Sequence, residues 1–363
     1  MQTSKEAVSA LFQGKMPDYV PLHDYLWDDT LDKWVAQGMP EDGEGGAVDP
    51  VDHFGFDLVS CGGWFPWTAR VPDRDEIVEE TDEWKIVRNG NGAALKWWKH
   101  KSGTPEHIDF HMSSRDIWEK TYRPRLIEPS VAARITDPGS AATNLKTRKD
   151  KWTFFGHLFV WEFLRESLGD VNMYMALAQN PEWIHDFNRV YTDLYKACYA
   201  YLFEKAGLPD GIWIYEDLGY RGRLICSPGM LEDLFFPYYR EIVDFFHGYG
   251  LPVVLHSCGF QEPMIPLAVQ AGFDALNPME VKAGNDVLSY AEKFGAKLCF
   301  IGGFDARVLE SGDRELIRKS ITSFMTGMKE RDARFVYASD HSISTLVNYE
   351  DFLFSLEVYR DNR

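Results

Sequence analysis

Two side chains with soft-metal chemistry stand two residues apart at the end of an apolar run, His256 and Cys258 in Pro252-Val-Val-Leu-His-Ser-Cys-Gly259. A short apolar stretch that closes on a polar, glycine-ended tip reads as a buried parallel strand delivering its last side chains into a loop. Alternate residues of an extended backbone share a side, so the imidazole and the thiol point the same way, as two ligands of one metal ion would. On its own a His-x-Cys pair is more often a core feature than a metal site. Two further residues shift that balance. Glu280 ends Ala275-Leu-Asn-Pro-Met-Glu280 and His341 ends Phe335-Val-Tyr-Ala-Ser-Asp-His341, each just past another strand-like run. His256, Cys258, Glu280 and His341 together make a candidate zinc set, because imidazole and thiolate are poor partners for the hard cations Mg²⁺ and Ca²⁺.

These groups need elements that bring distant positions together. Strand-like runs at 152–157, 211–217, 252–256, 273–277, 297–302 and 334–339 alternate with helical stretches. The helical stretches fall at 171–206 (broken at Pro181), 228–249, 261–271, 285–294, 313–329 and 348–358. Strand–helix alternation of this length indicates a parallel α/β fold. Neither GxGxxG nor GxxxxGK[ST] occurs, which argues against a dinucleotide or P-loop domain. The polar residues decide for a (β/α)8 TIM barrel. Glu216-Asp217, His256 and Cys258, Asn277 and Glu280, Asp305, and Asp340-His341 follow successive strands, as residues of a barrel's active-site face do.

The N-terminal part is less regular. A helix is expected at 3–14, a first strand over Tyr19–Leu26, a second helix at 29–37 and a second strand at Phe56–Ser60. Residues 76–112 read as a β-hairpin excursion, with two β-rich runs flanking Asn89-Gly-Asn-Gly92. Residues 137–150, rich in Pro, Gly, Ser and Lys, read as a connector.

The 363 residues, 45% hydrophobic, suit one barrel domain spanning 1–363. Five cysteines without a CxxC pattern argue against a disulfide framework. No apolar run long enough for a membrane span or signal peptide occurs, so a cytoplasmic protein is expected. The formal charge of −18 weighs against nucleic acid and anionic membranes as partners.

Among the remaining strand-end residues, Glu216 and Asp217 could supply a general acid or orient a substrate. Their alternative role is to bind a helix N-terminus or an imidazole proton. His157, Trp161, Asn277, Asp305 and Asp340 are the candidate substrate-facing residues. The aromatic residues Trp64, Phe65, Trp67, Trp152, Trp161 and Trp213 suit a flat substrate at the mouth, or equally a core.

These motifs resemble the uroporphyrinogen decarboxylase-like superfamily, which includes cobalamin-dependent methyltransferases. The resemblance runs through Met16-Pro-Asp-Tyr-Val-Pro21, Ser227-Pro-Gly-Met230 with Phe236-Pro-Tyr238, and His256-Ser-Cys-Gly259. It continues in Asn277-Pro-Met-Glu280, Gly302-Gly-Phe-Asp305 with Arg307, and Ser339-Asp-His341. It implies a (β/α)8 barrel. In the methyltransferase branch it implies zinc on a His-x-Cys pair and a later cysteine, where this chain has His341. The related cobalamin-independent methionine synthases add a glutamate at the place of Glu280. The decarboxylases' Arg-rich loop of the form RQAGRY has no counterpart near Tyr25-Leu-Trp-Asp-Asp29.

The function implied is zinc-dependent methyl transfer between a small methylated substrate and a corrinoid. No Asp-x-His-x-x-Gly cobalamin motif occurs, so the corrinoid is expected on a partner protein. One thiolate, one carboxylate and two imidazoles would leave a neutral zinc site, suited to an oxygen leaving group and hence to O-demethylation of a methoxy compound. The alternatives are a metal-free decarboxylase-like lyase and a non-catalytic binding barrel. An oligomer is left open.

Overall fold

The computed structural model describes residues 2–70, 75–135 and 137–363. The chain opens on a helix, Ser4–Phe12, closed by a reciprocal cap in which Glu6 N donates to the Thr3 side chain and Thr3 N to the Glu6 carboxylate. The strands follow as β1 (Leu58–Ser60), β2 (Glu76–Glu80), β3 (Trp84–Arg88), β4 (Ala93–Trp98) and β5 (Glu106–Phe110). Next come β6 (Trp152–Leu158), β7 (Gly211–Tyr215), and the two-residue β8 (Gly219–Tyr220) and β9 (Arg223–Leu224). The last are β10 (Val253–Ser257), β11 (Ala275–Pro278), β12 (Cys299–Ile301) and β13 (Phe335–Val336).

A seven-stranded sheet runs in the order β1-β6-β7-β10-β11-β12-β13. Every pairing in it is parallel. The sheet curls, and residues 21–23 join its edges: Asp57 N donates to Leu22 O, Tyr337 N to Pro21 O, and His23 N to Tyr337 O. The result is a TIM-barrel-like α/β fold. The expected strand over Tyr19–Leu26 shrinks to isolated bridges at Leu22 and Leu26. Pro21 has no N–H to offer a ladder, which is a local reason for that interruption.

Period two sorts the strand side chains. Leu58, Trp152, Phe154, Trp213, Val254, Ala275, Cys299, Ile301 and Val336 pack together inside the sheet, and Val8 and Leu11 of the opening helix join them. The opposite faces pack against the helices in a larger cluster that includes Ile212, Ile214, Val253, Leu255 and Leu276.

Residues 76–110 form a separate four-stranded antiparallel sheet, β2-β3-β4-β5. Its β3–β4 turn is pinned by Asn91, whose side-chain NH2 donates to Ser167 Oγ and Tyr191 OH and whose Oδ1 accepts from Ala69 N. Phe110 lies against Gly169, where a Cβ would come within 2.2 Å of the Phe110 ring and φ is +70°. Gly169 therefore interrupts the helix Val160–Gln179 and lets the sheet lean on it.

Two expectations need correction. The connector at 137–150 contains a helix, Pro138–Thr147. Asp137 caps it and Pro138 opens it, which are helix-start signals that composition alone hides. The helical stretch expected from 171 begins at Val160, and the next helix starts at Pro181. No helix among the described residues is long and apolar enough to cross a membrane.

Candidate active site at the strand ends

The parallel register aligns Tyr215 of β7, His256 of β10 and Asn277 of β11 at one level. In sequence they lie two residues beyond Trp213, Val254 and Ala275, which pack inside the sheet. The period of two carries all three onto the same inner face, at its C-terminal mouth.

His256 is held in one tautomer. Its Nδ1 lies 2.5 Å from Asn277 Oδ1. The Asn277 amide is oriented by its own NH2, which donates to Ile301 O at 2.9 Å, so Oδ1 faces the imidazole and accepts from it. The ring proton therefore sits on Nδ1 and the lone pair on Nε2. Nε2 faces Cys258 Sγ at 3.4 Å and Asp217 Oδ1 at 3.8 Å. Zinc bonds of about 2.3 Å to sulfur and about 2.0 Å to nitrogen, at a tetrahedral angle, put the two donors about 3.5 Å apart. The His256–Cys258 spacing fits that edge.

The ligand atoms of Asp217, His256 and Cys258 all lie within 4.8 Å of one another. Burial holds the His256 imidazole below its ordinary range, hence neutral and able to ligate. Burial pushes the Cys258 thiol far up, and the negative charges of Asp217 and Glu280 add to it. A thiol in that setting becomes a thiolate only with a cation beside it. The donor set fits a zinc ion.

Two glycines let the loops meet behind the cluster. A Cβ on Gly259 would lie 2.3 Å from Gly219 C, and one on Gly219 would lie 2.4 Å from Cys258 O. Gly259 also has a φ of +79°. Only glycine at both positions lets the β7 loop touch the β10 loop.

The other sequence-nominated residues fall in different places. Glu280 is buried nearby; its Oε2 accepts from Gly259 N at 2.9 Å and its Oε1 lies 3.1 Å from Lys282 Nζ. His341 sits beside Trp27, ring centroids 6.5 Å apart, within electrostatic reach of His256. Among the described residues, neither joins the Asp217–His256–Cys258 cluster.

Glu216 points the other way from Asp217. Its carboxylate accepts from Trp161 N at 3.1 Å and Glu162 N at 2.8 Å, the free N–H groups of the helix Val160–Gln179. Tyr239 OH donates to it at 2.8 Å. It is buried, which pushes its carboxyl up to about 8 against the pull of those donors. Both oxygens are committed to anchoring, the helix-terminus role of the two the sequence left open.

Trp161 is fully buried against Phe235 rather than at the mouth. His157 is also buried, its nitrogens facing Phe65 O and Leu158 O, and burial lowers it to about 4. Asp340 ties two loops, accepting from Ala306 N and Val281 N at 2.8 and 2.6 Å. Asp305 caps its own helix and pairs with Arg307 at 2.7 Å. Asn277 alone of the substrate-facing candidates touches the cluster, through His256.

Sequence reasoning passed over Tyr215, whose ring lies 5.4 Å from His256 and faces the exposed Trp64. The alternation Trp213, Tyr215 was the signal for it. Asp24 was also missed; it is buried at the end of the Leu22 segment, accepts from Ser339 Oγ, and is raised by burial to about 7.

The fold and these strand-end groups define a TIM-barrel-like protein with a polar cluster on the C-terminal face of its sheet. A family model for uroporphyrinogen decarboxylase (URO-D) matches residues 166–361, more than half of the 363-residue chain, and the chain belongs to that family. A solved methyltransferase from Methanosarcina mazei is similar in fold, with a TM-score of 0.66, 15% identity, and 99% of each chain covered. A 3-keto-D-glucoside 4-epimerase from E. coli is more distant, with a TM-score of 0.36, 9% identity, and 62% of this chain and 85% of that one covered. A search of curated proteins finds no match to this chain.

Proposed function

We propose that this chain is a zinc-dependent methyltransferase that moves a methyl group between a small methylated substrate and a corrinoid carried by a partner protein. The observation that carries the reading is the convergence of a tautomer-fixed His256 Nε2 and Cys258 Sγ at 3.4 Å on the inner C-terminal rim. The family membership and the fold likeness to a methyltransferase support the same class. The candidates for the remaining ligands are the acidic and imidazole groups of that rim, Asp217, Glu280 and His341. Zinc bound there supplies Lewis acidity toward an oxygen leaving group, which favours a methoxy donor and O-demethylation.

The chain's own residues do the positioning. Asn277 holds the His256 proton on Nδ1 and so keeps Nε2 free to ligate. Glu216 fastens the helix Val160–Gln179 to the end of β7. Tyr215 and the exposed Trp64 offer aromatic surface beside His256, and this favours a flat substrate. In this reading a partner protein presents the corrinoid over that rim.

Metal analysis of the purified chain, together with methyl transfer from methoxy compounds to reduced cobalamin followed by absorbance, tests the proposal. Stoichiometric zinc and turnover that His256→Ala abolishes are expected. A zinc-free protein that releases CO₂ from a carboxylated substrate would establish the metal-free lyase reading instead.

A further inference from the structure

The geometry points to Asp217 as the carboxylate ligand of the metal, with Glu280 held outside the coordination shell. This inference rests on the metal-dependent reading above and deepens it.

Asp217 Oδ1 lies 3.8 Å from His256 Nε2, against the roughly 3.4 Å that two light donors keep around a tetrahedral zinc. With Cys258 Sγ it completes a cluster whose atoms are mutually within 4.8 Å. A shift of about 0.4 Å would bring Asp217 Oδ1 to the tetrahedral spacing from His256 Nε2.

The backbone on both sides of Asp217 is tied to β10. Glu216 N donates to His256 O at 2.9 Å, and Leu218 N donates to Ser257 Oγ at 3.0 Å. Asp217 Oδ1 itself accepts from Cys258 N at 3.0 Å. Strand alternation then sends Glu216 toward the helix terminus and Asp217 toward the site, so one acidic pair does two jobs.

The two carboxylates differ in what already neutralises them. Glu280 has its charge met by Lys282 at 3.1 Å and its other oxygen by Gly259 N at 2.9 Å. Lys282 thus already offsets the charge that Glu280 would bring to a metal ion. Among the described residues Asp217 meets no Lys or Arg within ion-pair distance; the titratable ring nearest it is the neutral His256 imidazole, 3.8 Å away. Its side chain is 33% exposed, so an ion can reach it from the mouth. Arg165 acts on Asp217 from beyond ion-pair distance and is itself paired with Glu162 and Asp170, so a cation at the cluster would be the near charge that offsets Asp217 beside the buried thiol. Asp217, His256 and Cys258 would hold a divalent zinc as a formally neutral O,N,S set.

The test is zinc affinity by chelator competition, with absorption of the cobalt-substituted protein, on the full chain and four variants. Cys258→Ala is the control for the site itself: it should remove the thiolate-to-cobalt charge-transfer band. Asp217→Asn keeps an Oδ1 that accepts from Cys258 N, so the loop and the apo melting temperature should hold. It should nevertheless weaken zinc by more than about 100-fold, beyond the roughly 10–100-fold typical of an outer partner. Glu280→Gln should weaken it by less than about tenfold. Asp217→Glu, which restores a carboxylate, should recover part of the loss and shift the cobalt d–d bands.

A loss of about 100-fold or less in Asp217→Asn, a loss in Glu280→Gln that equals or exceeds it, or no recovery in Asp217→Glu overturns the assignment. If the wild type itself takes up neither zinc nor cobalt, the metal-dependent reading falls, and the Asp217 assignment with it. A wild type that binds metal and loses it in Cys258→Ala keeps that reading standing whichever carboxylate proves to be the ligand.

Discussion

Replacing Glu216 with Gln should change the pH dependence of folding more than its size at any single pH. The wild-type carboxyl is buried and moves from an ordinary 4.5 to about 8 in the fold. A carboxyl raised on folding contributes stability that is fully present below 4.5 and is lost as pH rises through the folded value. Over that interval the loss reaches about 5 kcal/mol, at 1.36 kcal/mol per pH decade. Gln does not titrate, so the variant is spared this loss. It carries a different cost, because its NH2 group must face Trp161 N, Glu162 N or Tyr239 OH, all donors to the native carboxylate. One such donor–donor conflict costs roughly 1–3 kcal/mol.

The two effects cross. At pH 5 the wild type should be the more stable by roughly 1–3 kcal/mol, and at pH 8.5 the order should reverse. Urea unfolding of both proteins at pH 5, 6.5 and 8.5 reads this directly. The difference between them cancels distant raised carboxyls such as Asp24 and Glu166, each near 7, whereas Glu162, whose carboxyl Glu216 helps to raise, shifts with the substitution. Parallel stability curves would refute the buried-acid account and show that the three donors hold Glu216 ionised throughout.

Asn277→Leu removes the acceptor that keeps the His256 proton on Nδ1. Zinc affinity should fall roughly 10–100-fold while the circular dichroism spectrum stays unchanged; unaltered affinity in chelator competition would detach Asn277 from the site. Gly259→Ala places a Cβ 2.3 Å from Gly219 C at a φ of +79°. It should cost roughly 1–3 kcal/mol in urea unfolding and loosen metal binding by separating the two loops, and a variant with both properties intact would contradict that close approach.

The family and the α/β rhythm were legible in the sequence because both are local records. Apolar runs of strand length, their alternation with helices, and polar residues at the strand ends depend on neighbours along the chain. The period of two also predicted that His256 and Cys258 share a side, and their ring nitrogen and sulfur lie 3.4 Å apart. The helix at Pro138–Thr147 was hidden only by averaging its Asp cap and Pro start into a loop-like composition.

What tertiary structure alone decided is how each charged side chain is occupied. Glu216 and Asp217 are chemically alike and adjacent, yet one meets the N-terminus of a helix 54 residues away and the other meets His256 and Cys258. Glu280 and Asp217 are both carboxylates at strand ends, and Lys282 stands beside only the first. Type and spacing bring such groups to one rim. Which of them remains free to bind depends on partners that reach it through space, and those partners are set by the register of the strands and the packing of the loops.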